Sequence, residues 1–288
     1  MNRWLIGARP RTLPAAVVPV ALGAAAAAGE DNSVWWRVAG ALVVSLALQV
    51  GVNYANDYSD GVRGTDSVRV GPTRLVASGL AAASAVKRAA LAAFAVAALS
   101  GLLLAAVTSW WLLAVGAAAL LAGWGYTGGP KPYGYFGFGE LFVFVFFGLV
   151  ATAGTTFVVC QRIPALSWFA GCAAGCLACA LLVVNNLRDI PTDRIAGKRT
   201  LAVRIGDRRT RALYVVLLAA AFALVGVIAV IGGRPWAALG LAGAVLAIQP
   251  VRTIVGGAQG GELISVLGGT GKVQLVTGLL AAIGIALV

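Results

Sequence analysis

Two short stretches hold half of this chain's acidic residues. Asp57, Asp60 and Asp66 lie in "NDYSDGVRGTD" (56–66), and Asp189 and Asp193 in "RDIPTDRIAGKRT" (188–200); the whole chain has 10 Asp and Glu against 22 Lys and Arg. Both stretches carry the same spacing, Asn56-x3-Asp60 and Asn185-x3-Asp189. Residues four apart share a helix face, so each helix end presents an amide and a carboxylate together. A lone carboxylate at a membrane surface is ordinarily solvated or paired with an arginine. Several converging carboxylates repel one another unless a cation joins them. Mg²⁺ suits that role: it takes hard oxygen ligands and commonly bridges one or two carboxylates to substrate phosphates. Arg63, Arg74, Lys131, Lys198 and Arg199 stand near the same stretches and supply the cations that a diphosphate needs. Acids and bases at one membrane mouth suit a diphosphate-bearing lipid held head-down, its tail between helices.

The elements that must carry these residues are membrane helices. Of 288 residues, 60% are hydrophobic and 11% charged, and mean hydropathy is +0.91; a soluble domain has roughly 25% charged residues. A span needs about 20 apolar residues. Residues 12–29, 38–56, 141–161, 163–187, 212–233, 235–251 and 273–288 each fit one span, and the uncharged run 89–130 fits two, with a turn near "TSWW" (108–111). The expected fold is all-α and integral to the membrane: about nine transmembrane helices around a central cavity, in one domain over 1–288. The two Asn-x3-Asp ends suggest an internal pseudo-repeat with halves meeting near 130–140. The N-terminal stretch reads as the first span rather than a cleavable leader. Alternating loops place every Lys and Arg except Arg37, Arg162 and Arg234 on one side. Positive charge marks the cytoplasmic face, which puts the N-terminus inside and the C-terminus outside. The net charge of +12 is therefore read as topology and anion binding, with no nucleic-acid partner.

Other chemistries fall away. The chain has no histidine, which removes imidazole acid–base catalysis and histidine–metal sites. It also lacks a G-x-x-x-x-G-K-[ST] phosphate loop. Cys172, Cys176 and Cys179 share the C-x3-C-x2-C spacing of radical-SAM clusters, but they lie inside the apolar "FAGCAAGCLACALLVV" (169–184). They read as small residues on a helix-packing face, with no disulfides. Glu140, near a helix start, reads as a dipole partner or a mate for Lys131.

The aspartate-rich stretches resemble the paired motifs of the UbiA superfamily of intramembrane prenyltransferases. "ARPRTLPAAVVPVALG" (8–23), "GPTRLVASG" (71–79), "YTGGPKPYGYFGFGELFVFVFFG" (126–148) and "NNLRDIPTD" (185–193) resemble its 1,4-dihydroxy-2-naphthoate polyprenyltransferases of menaquinone biosynthesis. The likeness runs from the first span past the sixth; beyond that, "GELISVLGGTGK" (261–272) is the one recognisable piece. The first motif departs from the superfamily's usual form, because Asp66 follows Asp60 by six positions.

The resemblance implies a multi-pass protein of a bacterial plasma membrane, with its site facing the cytoplasm. Asn56, Asp60, Asp66, Asp189 and Asp193 would hold Mg²⁺ and polyprenyl diphosphate, with Asp57 ligating or backing them. Asn56, Asp57, Asp60, Asp189 and Asp193 form the expected catalytic group. Arg63, Arg74, Asn185, Asn186, Lys198 and Arg199 belong with the substrates, and Arg188 or Lys131 with the acceptor carboxylate. Tyr126, Tyr133, Tyr135, Phe142 and Phe144 are candidates to shield an allylic cation. The implied reaction joins a polyprenyl group to dihydroxynaphthoate with loss of CO₂ and diphosphate. Three alternatives stand beside it. One is a related enzyme using a hydroxybenzoate or homogentisate acceptor. Another is a CDP-alcohol phosphotransferase, whose D-G-x-x-A-R motif fails after Asp60-Gly61. The third is a transporter, whose acids would sit at mid-membrane.

Overall fold

The computed structural model describes residues 2–65, 71 and 73–288, all of whose regular structure is helical. A short helix α1 (Arg3–Ala8) precedes α2 (Pro14–Ala26), α3 (Arg37–Arg63), α4 (Ala83–Val107) and α5 (Trp111–Gly125). Then follow α6 (Gly139–Cys160), α7 (Ala165–Ile195), α8 (Leu201–Val230), α9 (Pro235–Val255) and α10 (Glu262–Ala286). Seven of these, α3, α4 and α6–α10, are long and apolar enough to cross a membrane; α2 and α5 are shorter apolar helices.

Asp60 and Asp189 lie at one end of the bundle, the charged end. The other end carries exposed Trp35, Trp36, Trp110, Trp111, Trp168 and Trp236, as an interfacial aromatic belt does. Helix α7 is the central pillar: 78% of its most apolar window is buried, against 28–56% in the other six long helices. It packs on α8, α6, α2 and α10, while α3 and α4 pair on the far side of the cavity. Close packing of α6 on α7 depends on glycines. A Cβ at Gly148 would come within 2.6 Å of the Gly175 Cα, so the cysteine-bearing face is a helix contact, and all four cysteines are free thiols. Helix α6 relaxes into a π-helical segment, Phe144–Val150, at this crossing. At the tryptophan end, buried Arg37 donates to the carbonyls of Val158 and Val107, each at 3.0 Å, closing the last turns of α6 and α4.

Several boundaries differ from the sequence expectation. Helix α3 runs on to Arg63, where Gly64 (φ 71°) caps it in the left-handed region. Helix α7 continues through Pro191 to Ile195, so this proline does not break it. Helix α10 begins at Glu262, with its glycine-rich stretch fully helical. Helix propensity loses here to packing, since a Cβ at Gly271 would touch the Arg11 carbonyl at 3.0 Å and one at Gly269 would touch Pro250 at 2.9 Å.

Candidate active site

A cavity of about 690 Å³ opens at the charged end and runs between the helices. Its mouth is built from the last turns of α3 and α7. Asn56 and Asp60 from α3, and Asn185, Asn186, Asp189 and Asp193 from α7, all line it, so the two Asn-x3-Asp faces point into one space. The helices explain this placement. Each apolar run extends past its hydrophobic stretch by about two turns, and residues four apart stay on the inner face.

Every mouth acid that can be followed already has a partner. Lys198 pairs with Asp60 Oδ1 at 3.0 Å, and the Tyr135 hydroxyl donates to the same oxygen at 2.6 Å. Arg188 clasps both oxygens of Asp189, at 2.7 and 2.8 Å, and also donates to Asn185 Oδ1 at 2.7 Å. Asn56 accepts from Thr127 at 2.6 Å. The Asp193 carbonyl accepts from the Lys198 amide at 2.8 Å, which folds the 196–200 turn over the mouth. Among the described residues, no three acidic or thiol side chains form a metal cage by themselves. That donor set suits Mg²⁺, which needs few protein carboxylates when substrate phosphates complete its shell.

Other expected residues are placed differently. Asp57 is fully buried and does not line the cavity. Its two oxygens accept from the backbone amides of Leu75 (2.8 Å) and Val76 (3.0 Å), fixing the strand of chain that presents Arg74 to the cavity. Lys131 and Arg199 are exposed and lie outside the lining. Arg63 is also exposed; it donates to the carbonyls of Thr127 and Gly129, and its guanidinium lies 5.4 Å from the Tyr135 ring centre. Arg188 is committed to Asp189. Asp66 lies outside the described residues. Glu140 pairs with Asn186, whose Nδ2 donates to it at 2.9 Å, rather than with Lys131.

The aromatic wall is continuous. Tyr133 stacks on Phe142 at 3.9 Å, Tyr126 meets Tyr133 edge-on at 5.6 Å, and Phe142 continues to Phe146 at 6.0 Å. Phe144 turns the other way, onto Gly175 of α7. Burial pushes the phenols of Tyr126, Tyr133 and Tyr135 above their ordinary range. The charge of Asp60 adds to the rise at Tyr135, and that of Glu140 to the rise at Tyr126. All three are neutral phenols, and Tyr133 and Tyr135 donate, to the Ala122 carbonyl and to Asp60.

Sequence reasoning missed a polar group opposite α7. Arg9, Arg11, Thr12, Gln49 and Asn53 line the cavity. The chain between α1 and α2 breaks at Arg9, whose φ of 52° is in the left-handed region, and dips between helix ends. Arg9 donates to the Asn53 carbonyl at 3.1 Å, and Asn53 Nδ2 donates to Ala8 O at 2.9 Å and to Thr12 Oγ1 at 3.0 Å. The available signal was Gln49 and Asn53 at helical spacing ahead of Asn56 and Asp60: polar residues inside a span face protein or a cavity.

Comparison with known proteins agrees with this geometry. Residues 16–259 match the model of the UbiA prenyltransferase family. The chain is similar to a 1,4-dihydroxy-2-naphthoate octaprenyltransferase of Mycobacterium tuberculosis, with 52% identity over 280 residues, covering 97% of this chain and 95% of that protein. It is 35% identical over 300 residues to the enzyme of the same name from Escherichia coli, covering 99% and 95%. Its fold matches a UbiA homolog from Archaeoglobus fulgidus bound to DMAPP and Mg²⁺, at a TM-score of 0.65 and 16% identity over the whole of both chains. The chain, by its sequence and by its helical architecture, belongs to the UbiA prenyltransferase family.

Proposed function

We propose that this protein transfers a polyprenyl group from polyprenyl diphosphate to 1,4-dihydroxy-2-naphthoate, releasing CO₂ and diphosphate and giving a demethylmenaquinol. The observation that carries the reading is the convergence of two Asn-x3-Asp helix ends with Arg74 and Lys198 on the mouth of an apolar cavity. The naphthoate acceptor is the one in the names of the similar mycobacterial and enterobacterial enzymes.

Asn56, Asp60, Asp189 and Asp193 would hold Mg²⁺, with Asp66 a further ligand in this reading. The ion, when bound, neutralises diphosphate charge and so helps it leave. Lys198 and Arg74 add charge at the same mouth, and their attraction grows as the allylic C–O bond breaks and negative charge collects on the leaving group. The aromatic wall of Tyr126, Tyr133 and Phe142 presents ring faces to the allylic cation, each worth about 0.5–2 kcal/mol, and keeps water from it. The acceptor then forms the new C–C bond at the carbon bearing its carboxylate. The C–CO₂ bond breaks in turn, and its electron pair restores the aromatic ring, so no ring proton has to be removed. This fits a cavity whose lining has no histidine and whose tyrosines are held neutral. Arg9 and Arg11, which line the cavity where Lys131 does not, would meet the acceptor carboxylate.

In the membrane, all nine helices α2–α10 would cross, the charged end facing the cytoplasm of a bacterial plasma membrane and the C-terminus outside. The basic residues at the charged end and the tryptophans at the other support this orientation. The test is the purified protein with Mg²⁺, all-trans polyprenyl diphosphates and a panel of aromatic acids, read by product mass. A prenylated, decarboxylated product from dihydroxynaphthoate alone is expected. Products from hydroxybenzoate or homogentisate, or none at all, would refute the assignment.

A further inference from the structure

The cavity is longer than a headgroup site needs. Along α3 its lining runs from Asp60 at the mouth to Ala41 near the tryptophan end. The nineteen steps between them cover about 28 Å at ~1.5 Å rise each, close to the thickness of a bilayer core. Below the aromatic wall the lining is mostly apolar, Ser45 and Thr155 being exceptions, and three of its members are glycines from three different helices: Gly101 of α4, Gly116 of α5 and Gly154 of α6.

These glycines are not where helices touch. A Cβ built at Gly101, Gly116 or Gly154 would meet nothing within 4 Å, whereas a Cβ at Gly148 or Gly23 would collide with a neighbouring backbone. Nor do they face away from the interior. Gly101 shares a helix face with buried Phe94, Ala97, Leu104 and Ala105, at spacings of seven, four, three and four residues. Gly154 lies on the stripe Phe147, Val150, Ala151, Val158, and Gly116 on Leu112, Ala119 and Gly123, all of them cavity-lining. A glycine in a helix interior costs about 1 kcal/mol relative to alanine, and here no packing contact offsets that cost. The space in front of the backbone is what the glycine provides.

We propose that Gly101, Gly116 and Gly154 keep open the deep half of the tail channel and so set the longest prenyl chain the enzyme accepts. The inference rests on the prenyl-transfer reading above. The occupant is the donor's own polyisoprenoid tail. The charged mouth fixes its diphosphate, and beyond Gln49 and Asn53 the lining is mostly apolar as far as Leu104, Leu112 and Val158, with the Ser45 and Thr155 hydroxyls donating to the carbonyls of Ala16 and Ala151. A short tail ends before the glycines; a long one must pass them.

The experiment uses the purified full chain and Gly101→Leu, Gly154→Leu and the double variant. Gly226→Leu serves as control, because a Cβ there also meets nothing within 4 Å but Gly226 lies outside the cavity lining. Each protein is given Mg²⁺, dihydroxynaphthoate and, separately, geranyl, geranylgeranyl, hexaprenyl and octaprenyl diphosphates. A single methylene in an apolar pocket changes discrimination by about 10-fold or more. The ratio of kcat/KM for octaprenyl over geranyl donor should therefore fall at least about tenfold in each single variant and further in the double variant. Gly226→Leu should leave the ratio as in the wild type. An unchanged ratio in the double variant, or an equal fall for all four donors, would overturn the proposal. A wild type that prenylates with none of the donors would instead overturn the reading beneath it.

Discussion

Asp57 separates two ways of using a carboxylate at this mouth. As a metal ligand it would act on substrate directly. The structure commits both of its oxygens to the amides of Leu75 and Val76, behind the cavity wall. Replacing it with Ala strips two backbone donors of their acceptor. A buried donor left unsatisfied costs about 1–3 kcal/mol. Leu75 is fully buried while Val76 is partly exposed, so water recovers some of the second bond, and the total is about 2–4 kcal/mol. Asp57→Asn keeps one acceptor oxygen but sets an NH₂ against the other amide, for about 1–3 kcal/mol. Either change loosens the segment that carries Arg74, so the KM for polyprenyl diphosphate should rise about tenfold or more, the loss of one charge-assisted contact. The concentration of Mg²⁺ giving half-maximal activity should move less than about twofold, well under the tenfold step of 1.4 kcal/mol. Thermal unfolding in detergent and Mg²⁺ titration of activity, run on both variants, decide the matter. Wild-type thermal stability together with a large shift in Mg²⁺ requirement would refute the reasoning and return Asp57 to the metal.

The remaining predictions concern the mouth itself. Asp60→Ala and Asp189→Ala should each abolish turnover while the protein still inserts and elutes as the wild type does; near-normal activity in either variant, measured by product formation, would remove these residues from the metal site. EDTA should stop the reaction and added Mg²⁺ should restore it, checked by the same product assay. The three wall tyrosines hold their protons above the ordinary tyrosine value of 10.0. Activity should therefore show no rising or falling limb from them below pH 10.0. Above it the unfolded chain ionises its tyrosines while the fold does not, so stability should decline as pH rises further. A limb near neutral pH that vanishes in Tyr133→Phe would show that this phenol works as a base.

The acidic helix ends were legible in the sequence because their information is local. Asn56–Asp60 and Asn185–Asp189 are set by helical spacing, and helices α3 and α7 keep that spacing to their last turns. The cations were harder, because a side chain's reach depends on where the backbone turns. Lys131 and Arg199 adjoin the motifs in sequence yet point to solvent, while Arg9 and Arg11, read only as markers of membrane orientation, enter the cavity. What brings them in is the left-handed break at Arg9 and the bond from Asn53 to the Ala8 carbonyl, a tertiary contact across 45 residues that no local pattern contains. The expected spans 163–187 and 273–288 fell short for a different reason: apolar run length marks the membrane core, while α7 and α10 extend through Pro191 and a glycine-rich stretch where packing outweighs local propensity.

The same contrast explains why so basic a chain can hold an anion-binding mouth together before its substrate arrives. Asp60 with Lys198, and Asp189 with Arg188, are side-chain pairs less than a tenth exposed. An unpaired charge at that depth would carry a desolvation penalty of several kcal/mol. Pairing removes the penalty in the empty site and also sets the cations in place. In the proposed reading, Asp60 and Asp189 would turn to Mg²⁺ and Lys198 to the diphosphate, so each of these charges would exchange one partner for another of the same sign. Asp189 and Arg188 are adjacent on one helix and can make this exchange without backbone movement. Asp60 and Lys198 belong to different elements, α3 and the turn after α7, so their pair also ties that turn to α3. That asymmetry makes Lys198 the residue whose loss should act on donor binding most: Lys198→Gln leaves Asp60, among the described residues, with the Tyr135 hydroxyl and should raise the donor KM about tenfold or more. Donor saturation curves measure this, and an unchanged KM would show that the Asp60–Lys198 pair serves the fold alone.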